Sequence, residues 1–563
     1  MEARIKSIPL SITATLLMLC FAETTDAKVT LRSDIEAKYV HQDIEVIDEN
    51  RDIDSNNLVL TPRIYSQYEA KLLRAVISAE HNHVRRSLDD ENVTNNYTTF
   101  NSLLRLNIVP DLMYAQAGWQ QNYRNPFENS FIFEDFLVDA QNLAKLTTKS
   151  AEVGFDLPNR KLFGLSSQIG YRKLTTDYEQ EISSSLNLDS ETYDIGLDLT
   201  SGDDILPVTY RIQGSIRETK RSGSSDFESS MVNAELNIPT ISNSLLFSIL
   251  GTYENNDIGS ANVSALQLQE YYSYGLGVTW RPSRDRSIRV ALNKSFRDTE
   301  DLDIDGDFDD DDTFISANIR WRFTSRTSLE ANVSKRFYGD SSNISFSHNT
   351  RHWRNRFSYQ EVVTTNAQII DNSELLLFNC PDGDTNIENC ELLDTPNVPN
   401  NGLDDINLVP FVDSRFQLNN NAIILKTAQY TTGIQRRRTN VSLNLSRTKN
   451  EDLESDLNTT SDSAQLTASF RVVSRTTLEL NARYTNYDRV QDGEDQSSIV
   501  KEFGVSFERR FRTRLFASIG YKYLDRQGDA TNAGIGGNFI GLEGPLTDNR
   551  ISLSIRYEFS NKQ

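Results

Sequence analysis

Hydrophobic and polar residues alternate along much of this chain in runs of about ten residues. The stretch YYSYGLGVTWRPSRDRSIRVALNKSF, residues 271–296, places apolar side chains at every second position on both sides of a polar turn, RPSRD. The same pattern recurs in TFISANIRWRFTSRTSLEANVSKRFYG, AQLTASFRVVSRTTLELNARYTNY and EFGVSFERRFRTRLFASIGYKY. A period of two with polar turns is typical of β-hairpins, so the pattern predicts an all-β protein.

Amphipathic hairpins have two folded solutions: a soluble sandwich with its apolar faces inside, or a transmembrane barrel with its apolar faces turned to lipid. Strands of about ten residues suit a tilted membrane span better than a soluble sheet. Short turns alternate with long acidic loops, as expected of a barrel with two unlike ends. Aromatic residues gather at both strand ends, which predicts two interfacial girdles. The residues concerned are Trp280, Trp321, Phe323 and Phe511 beside short turns, and Phe337, Tyr338, Tyr484 and Tyr523 beside long loops.

Counting the alternating segments predicts a transmembrane antiparallel β-barrel of about 24 strands, within a range of 20 to 26. The barrel occupies residues 28–563, with the first strands expected near 28–40 and 57–67 and the last near 549–559. An even count puts short turns and both termini on the periplasmic side and long loops outside. Because a barrel has no edge strands, the first and last segments must pair.

The N-terminus and the charge balance indicate where the chain works. Arg4 and Lys6 precede the apolar run IPLSITATLLMLCFA and then small and polar residues, which predicts a signal peptide over residues 1–27. The 563 residues carry a net charge of −22, which argues against nucleic acid as a partner. We therefore expect an exported protein in the outer membrane of a Gram-negative bacterium, with membrane lipid as its main partner.

Four further segments are informative: NLVLTPRIYSQYEAKL, VPDLMYAQAGWQQNYRNPF, GVTWRPSRDRSIRVALNKSF and ISFSHNTRHWRNRFSYQEVVTT. They resemble segments of the PEP-CTERM-system-associated outer-membrane β-barrel proteins, an uncharacterised, porin-like family, and the resemblance extends from about Val29 to Phe559. It implies an outer-membrane barrel encoded with exopolysaccharide or exosortase systems, and a polysaccharide export machinery as partner. It implies no catalytic residue.

Charged residues on the polar face are candidates for a functional lumen. By the alternation, the inward-facing set comprises Arg289, Arg320, Arg322, Glu330, Arg336, Arg471, Glu479 and Arg483, with Arg556, Glu502 and Glu558 nearby. One interpretation is a basic lumen that attracts anionic solutes such as acidic polysaccharide. The other, which the mixture of acids and bases favours, is a network of cross-strand ion pairs that holds the wall together.

The acidic loop DLDIDGDFDDDD is a candidate calcium site. Its Asp-x-Asp-x-Asp-Gly spacing matches the beginning of a calcium-binding loop, with hard oxygen ligands available from Asp301, Asp303, Asp305, Asp309 and Asp312. The last position is Asp instead of a bidentate Glu, and strands instead of helices flank the loop. An ordinary solvated acidic loop is the alternative, and no other cofactor is expected.

Cys380 and Cys390 remain after removal of the signal peptide and flank PDGDTNIEN within a polar stretch, residues 366–420. An even pair of cysteines in an exported chain predicts a disulfide that closes a loop. A metal site is less favoured because no further Cys or His lies nearby.

Three functional classes remain to be weighed. No Gly-x-Ser-x-Gly elbow or Ser/His/Asp order is present, so we expect no enzyme, and His81 and His83 are a weak metal candidate. No plug domain precedes the predicted barrel, which argues against an energy-coupled transporter. We therefore expect a porin-like conduit, serving exopolysaccharide export. The alternative is an adhesin, receptor or structural barrel that acts through its long loops.

Overall fold

A computed structural model describes most of the chain after the predicted signal peptide. The described residues are 27–47, 51–88, 91–124, 137, 143–157, 163–177, 189–202, 208–223, 225–242, 244–258, 270–283, 285–297, 311–365, 377–379, 391–393, 406–408, 421–455, 457–491, 494–528 and 545–560. The described part contains no helix that is long and apolar enough to cross a membrane.

The structure consists of β-strands. In chain order they are β1 (Lys28–Val46), β2 (Arg51–Glu69), β3 (Leu73–Leu88), β4 (Glu91–Val109), β5 (Met113–Arg124), β6 (Ala144–Leu157), β7 (Phe163–Asp177), β8 (Ser190–Ser201), β9 (Thr209–Arg221), β10 (Phe227–Pro239), β11 (Leu245–Ile258), β12 (Tyr271–Ser283), β13 (Arg286–Arg297) and β14 (Asp311–Thr324). They continue with β15 (Thr327–Arg336), β16 (Gly339–Asn349), β17 (Trp353–Thr365), β18 (Leu377–Asn379), β19 (Glu391–Leu393), β20 (Ile406–Leu408), β21 (Ala422–Arg436), β22 (Thr439–Asp452), β23 (Asn458–Val473), β24 (Thr476–Gln491), β25 (Glu494–Arg510), β26 (Leu515–Gly528) and β27 (Leu546–Ser560).

All strands except β18, β19 and β20 form one antiparallel sheet of 24 strands that closes on itself. Each strand pairs with its neighbours in the chain, β17 pairs with β21, and β1 pairs with β27 from Arg32 opposite Ser560 to Val46 opposite Leu546. Closure removes both sheet edges, which would otherwise expose unpaired backbone groups. The predicted fold class, the strand count and the pairing of first and last strands are confirmed.

The two ends of the barrel differ. At one end the connections are turns such as 325–326, 437–438 and 474–475, and at the other they include 125–143, 298–310 and 366–421. Both the beginning of β1 and the end of β27 lie at the short-turn end. This is the arrangement expected when that end faces the periplasm.

The outward face carries an apolar band with aromatic residues at its edges. Leu276 and Val278 are more than half exposed in the middle of β12. Trp280 packs against Trp321 near the short turns, with ring centroids 5.7 Å apart, and Tyr272 stacks on Phe296 at the other edge, at 5.4 Å. An exposed apolar band between aromatic girdles is the surface that a barrel presents to lipid.

Several strands continue beyond the membrane on the long-loop side, and there the pattern inverts. On β1, outward residues are apolar up to Tyr39 and then become acidic at Asp43 and Glu45, while inward residues become apolar at Val40 and Ile44. The predicted strands 28–40 and 57–67 were therefore too short, since β1 and β2 each have 19 residues. The lipid-facing pattern ends where the membrane ends, although the strands continue.

Two further expectations need correction. Phe337 and Tyr338 do not join the outer girdle: they pack against a buried cluster that contains Phe227. The polar stretch 366–420, expected as a loop, contains the three-stranded sheet β19-β18-β20. Sequence alternation could not reveal strands of three residues each, because a period of two needs a longer run to be recognised.

Candidate functional site: the lumen and its outer mouth

Hydroxyl and amide side chains line much of the inward face. They form hydrogen bonds across neighbouring strands, for example Ser442 Oγ with Thr467 Oγ1 at 2.5 Å, Ser328 Oγ with Ser347 Oγ at 2.8 Å and Ser518 Oγ with Ser554 Oγ at 2.8 Å. Ser, Thr and Asn side chains both donate and accept hydrogen bonds. Such a wall can exchange its own hydrogen bonds for bonds with water or with the hydroxyl groups of a solute.

Most of the charged residues singled out on the inward face have an ion-pair partner. The pairs are Arg289 with Glu235, Arg320 with Glu330 at 3.7 Å, Arg322 with Asp285 at 3.1 Å and Arg336 with Glu254 at 2.5 Å. Arg320 and Arg322 are more than half exposed near the short turns, whereas Glu254 is buried. The acid–base pairing considered from the sequence is thus present, but two of the four pairs, Arg289–Glu235 and Arg336–Glu254, skip over intervening strands.

The remaining members of that set lie on β23 and β24. Glu479 accepts a hydrogen bond from Ser506 Oγ at 3.1 Å. Arg483 is exposed on the inward face of β24, and Arg471 is exposed near the end of β23. Within the described residues neither arginine has an ion pair, although Arg483 lies opposite Glu502 in the ladder between β24 and β25.

A cluster at the closing seam was missed by the sequence analysis. Arg63 donates from Nε to Glu80 at 3.0 Å, from Nη1 to Asp34 at 3.2 Å and from Nη2 to Glu36 at 3.0 Å. Arg556 on β27 continues the network to Glu508 at 3.2 Å. The alternation along each strand correctly predicts that these side chains face inward. It does not predict which strands become neighbours at the seam, because that depends on how the barrel closes.

At the long-loop end, opposite walls of the barrel touch. Arg221 at the end of β9 forms an ion pair with Glu454, in the connection after β22, at 2.5 Å. Along the wall these elements are separated by β10 to β17 and β21, which is roughly 48 Å at about 4.8 Å per strand. The Arg221 side chain is fully buried and that of Glu454 is 13% exposed. This contact therefore crosses the lumen instead of following the wall.

An apolar cluster accompanies that ion pair. Phe227 of β10 is buried together with Val363 of β17, Ala422 and Ile424 of β21, and Leu453. Ile258, Phe337 and Tyr338 pack against the same cluster. We call this set, with Arg221 and Glu454, the cross-lumen bridge. It brings one side of the outer mouth into contact with the other.

The β15–β16 hairpin, whose tip contributes Phe337 and Tyr338 to the bridge, leans inward. Arg336 donates to Glu254 of β11 from Nε at 3.0 Å and from Nη2 at 2.5 Å, and the Tyr271 hydroxyl of β12 donates to the Lys335 carbonyl at 3.0 Å. Since β11 and β15 are roughly 19 Å apart along the wall at about 4.8 Å per strand, the hairpin tip must leave the wall to make these contacts. On its other side the Tyr338 hydroxyl donates to Glu361 at 3.4 Å.

Other candidate sites fall outside these contacts. Asp301, Asp303, Asp305 and Asp309 lie outside the described residues, and Asp312 is the second residue of β14. Cys380 and Cys390 also lie outside them. Among the residues that are described, no group of three or more His, Cys, Asp or Glu side chains is placed to hold a metal.

His81 and His83, the histidines considered as a metal site, lie on the outward face of β3. His81 Nδ1 is 2.8 Å from Thr98 Oγ1, and His83 Nδ1 is 2.7 Å from Asn96 Oδ1. Each ring is thus held by a residue on the neighbouring strand.

No family model and no curated protein matches this chain. Similar solved structures include the siderophore receptor PirA from Pseudomonas aeruginosa, with 10% identity, a TM-score of 0.37, and coverage of 94% of this chain and 80% of that chain. The copper transporter OprC has 10% identity and a TM-score of 0.40 and is matched over 94% and 83% of the two chains. OccAB4 from Acinetobacter baumannii has 9% identity and a TM-score of 0.28 and is matched over 94% and 98%.

Structural similarities at such low identity identify no ligand for this chain. The class of membrane protein follows from the architecture of the chain itself, which is a closed antiparallel barrel with an outward apolar band, two aromatic girdles and unlike ends. The chain is an outer-membrane β-barrel.

Proposed function

We propose that this barrel is a porin-like conduit for hydrated envelope solutes, with extracellular polysaccharide as its substrate class. The inward wall of hydroxyl and amide groups is the observation that carries the proposal. Sugar hydroxyls can replace water at such groups without leaving donors or acceptors unsatisfied. The diameter of a barrel grows with its strand number, and 24 strands enclose a wide lumen.

The family resemblance adds an association with polysaccharide systems, but association is not mechanism. Arg471 and Arg483 supply positive charge on the inward face, which would favour an anionic polymer over a neutral one. A passive conduit needs no catalytic group, and the proposal includes none.

The cross-lumen bridge favours a second candidate, a surface receptor or adhesin that acts through its long loops. Contacts between opposite walls, such as Arg221 with Glu454, oppose free diffusion through the outer mouth. A receptor needs a rigid platform outside the membrane and no open channel.

Deletion of the gene distinguishes the two candidates. For the conduit we expect surface polysaccharide to fall and to accumulate in the periplasm, with restoration by the wild-type gene. Unchanged surface polysaccharide, with loss of attachment to cells or surfaces, would favour the receptor or adhesin.

A further inference from the structure

The short turns on one side of the barrel are rich in arginine. Five successive turns join ten adjacent strands, from β14 to β26: 325–326, 350–352, 437–438, 474–475 and 511–514. Together they contain seven arginines and no acidic residue, in a chain whose net charge is −22. On the other side, the connections 70–72, 110–112, 158–162, 202–208 and 240–244 contain three basic and three acidic residues. The excess of positive charge therefore belongs to one side of the short-turn end.

Six of these arginines form a set that we call the arginine rim. All six are exposed, and none has an ion pair, a side-chain hydrogen bond or a ring contact among the described residues. Exposed groups of one sign raise the local concentration of ions of the opposite sign. The rim can therefore bind an anion that the protein does not itself supply. Its members are Arg326, Arg351, Arg437, Arg438, Arg475 and Arg512.

Backbone hydrogen bonds place the turns of the rim side by side. Each bond runs from a residue at the end of one hairpin to a residue at the end of the next. The rim is therefore one continuous basic arc and not a set of scattered charges. Three such bonds run from the Gln435 amide to the His352 carbonyl at 2.9 Å, from the Arg471 amide to the Arg438 carbonyl at 2.8 Å, and from the Arg510 amide to the Arg475 carbonyl at 2.9 Å.

The basic surface continues from the rim into the lumen. Arg354 and Arg356 are exposed on the inward face of β17, where they alternate with Trp353 and Phe357 on the lipid side. Arg471 is exposed on the inward face of β23. Lipid headgroups surround the outer side of the strands, so these three arginines face away from them. An anion that binds along this surface comes from the aqueous space at the mouth of the barrel.

Beyond the rim, the inward wall on this side is uncharged. On β21, β22 and β23, the inward positions between residues 427 and 433, 440 and 446, and 463 and 469 are all Ser, Thr, Asn, Gln or Gly. Gln429 and Thr431 both donate to Asn444 Oδ1, at 3.3 and 3.1 Å. Hydrogen bonds between neutral groups can be exchanged for bonds with sugar hydroxyls at little cost. The same side of the barrel thus has arginines at its mouth and neutral polar groups behind them.

We infer that the arginine rim is the periplasmic entry site of the conduit and that it binds a polysaccharide that carries carboxylate groups. A guanidinium group can bind a carboxylate through two parallel hydrogen bonds. A polymer with repeated carboxylates engages several turns at once, which raises its overall affinity. The polymer then follows the neutral wall of β21, β22 and β23. The inference rests on the proposed conduit and specifies the charge of its substrate and the end at which the substrate enters.

Binding of a fluorescently labelled oligogalacturonate to the purified full chain in detergent tests the entry site. The double variant Arg437→Gln with Arg438→Gln removes two charges from one turn of the rim. It should weaken binding by at least about fivefold, because two exposed charge contacts are lost. Raising the ionic strength should weaken binding to the wild type as well. A neutral maltodextrin of the same length should bind equally to the wild type and the variant.

The double variant Arg85→Gln with Arg447→Gln is the matched control. Both arginines are exposed on the outward face near the long-loop end, so this variant loses the same charge away from the rim. Its affinity for oligogalacturonate should equal that of the wild type. Heat-modifiable migration on a detergent gel shows whether each variant is folded. If the rim variant does not fold, Arg326→Gln with Arg475→Gln, in two other turns, takes its place.

Three results would overturn the inference. They are a wild type that does not bind oligogalacturonate, a rim variant that binds it as tightly as the wild type, and equal losses in the rim variant and the control. Short-chain phosphatidylglycerol is the second probe: a rim variant that loses only the binding of this lipid would assign the rim to the inner leaflet instead. The conduit is tested separately, because gene deletion can lower surface polysaccharide whether or not the rim binds it.

Discussion

Arg63 shows how a single side chain organises the inward wall. Its guanidinium contacts three carboxylates, Asp34, Glu36 and Glu80, which lie on two strands at either side of β2. Without the arginine these acids would repel one another in a partly desolvated wall. The five donors of a guanidinium make such a shared contact possible, which a lysine could not reproduce.

Replacement of Arg63 by Gln should lower the free energy of unfolding by about 2 kcal/mol, the scale of hydrogen bonds to charged groups. Arg63 is one-third exposed, so water offsets part of the loss. Urea titration of the barrel folded into lipid vesicles measures the change.

Arg447→Gln is the matched comparison, since Arg447 forms a mostly exposed ion pair with Asp462 at 3.6 Å. This substitution should lower the free energy of unfolding by less than about 1 kcal/mol. Equal losses in the two variants would show that the Arg63 cluster has no special role.

Within a strand, the alternation of faces decides which substitutions are tolerated. Leu276 lies in the middle of the apolar band of β12 and is 56% exposed. Gln429 is exposed on the inward face of β21, where it donates to Asn444 Oδ1 at 3.3 Å. The first position meets lipid and the second meets the lumen.

Leu276→Arg should lower the free energy of unfolding by about 2 to 4 kcal/mol, the cost of a charge on the lipid face near the midplane. Gln429→Arg should lower it by less than about 1 kcal/mol, because the lumen wall already carries charges. Unfolding titrations in vesicles compare the two. A larger loss at Gln429 would mean that the faces are assigned the wrong way round.

The small sheet in the connection 366–421 bears on the predicted disulfide. Asn379 and Glu391, the chain neighbours of Cys380 and Cys390, are antiparallel ladder partners. An antiparallel register brings residues on facing strands close enough for a cross-strand pair. We therefore keep the prediction of a Cys380–Cys390 disulfide. Mass mapping of the exported protein without reduction should find the two peptides linked, and two free thiols would refute it.

How far the sequence could predict the structure depended on the environment of each element. Lipid imposes a strict apolar face, so the barrel strands were recognisable from alternation, and residues such as Leu276 were assigned to the correct side. Beyond Tyr39 no lipid requires an apolar outward face, so alternation could not locate the ends of the strands. Phe337 and Tyr338 were misplaced because aromatic residues near a strand end suit either a girdle or a buried cluster. Contacts across the lumen join residues such as Arg221 and Glu454. Alternation predicts on which side of the sheet such a residue lies, but it does not predict which distant residue it contacts.

For the whole molecule, closure by β1 and β27 is the feature on which every other conclusion depends. It defines an inside, it makes neighbours of strands from the two ends of the chain, and it completes the charged seam with Arg63 and Arg556. A barrel without this pairing would have two unsatisfied edges in lipid and no enclosed lumen.

The most direct measurement is therefore a cross-link between the first and last strands in the outer membrane. Ala37 and Ile555 are ladder partners on β1 and β27, so cysteines at these two positions should form a disulfide that changes migration on a non-reducing gel. Cysteines at Ala37 and Ser560, far apart in the register, should not cross-link. Efficient linkage of Ala37→Cys with Ile555→Cys alone is the predicted result. Folded protein in which that pair stays reduced, or links no better than the mismatched pair, would contradict the closed barrel.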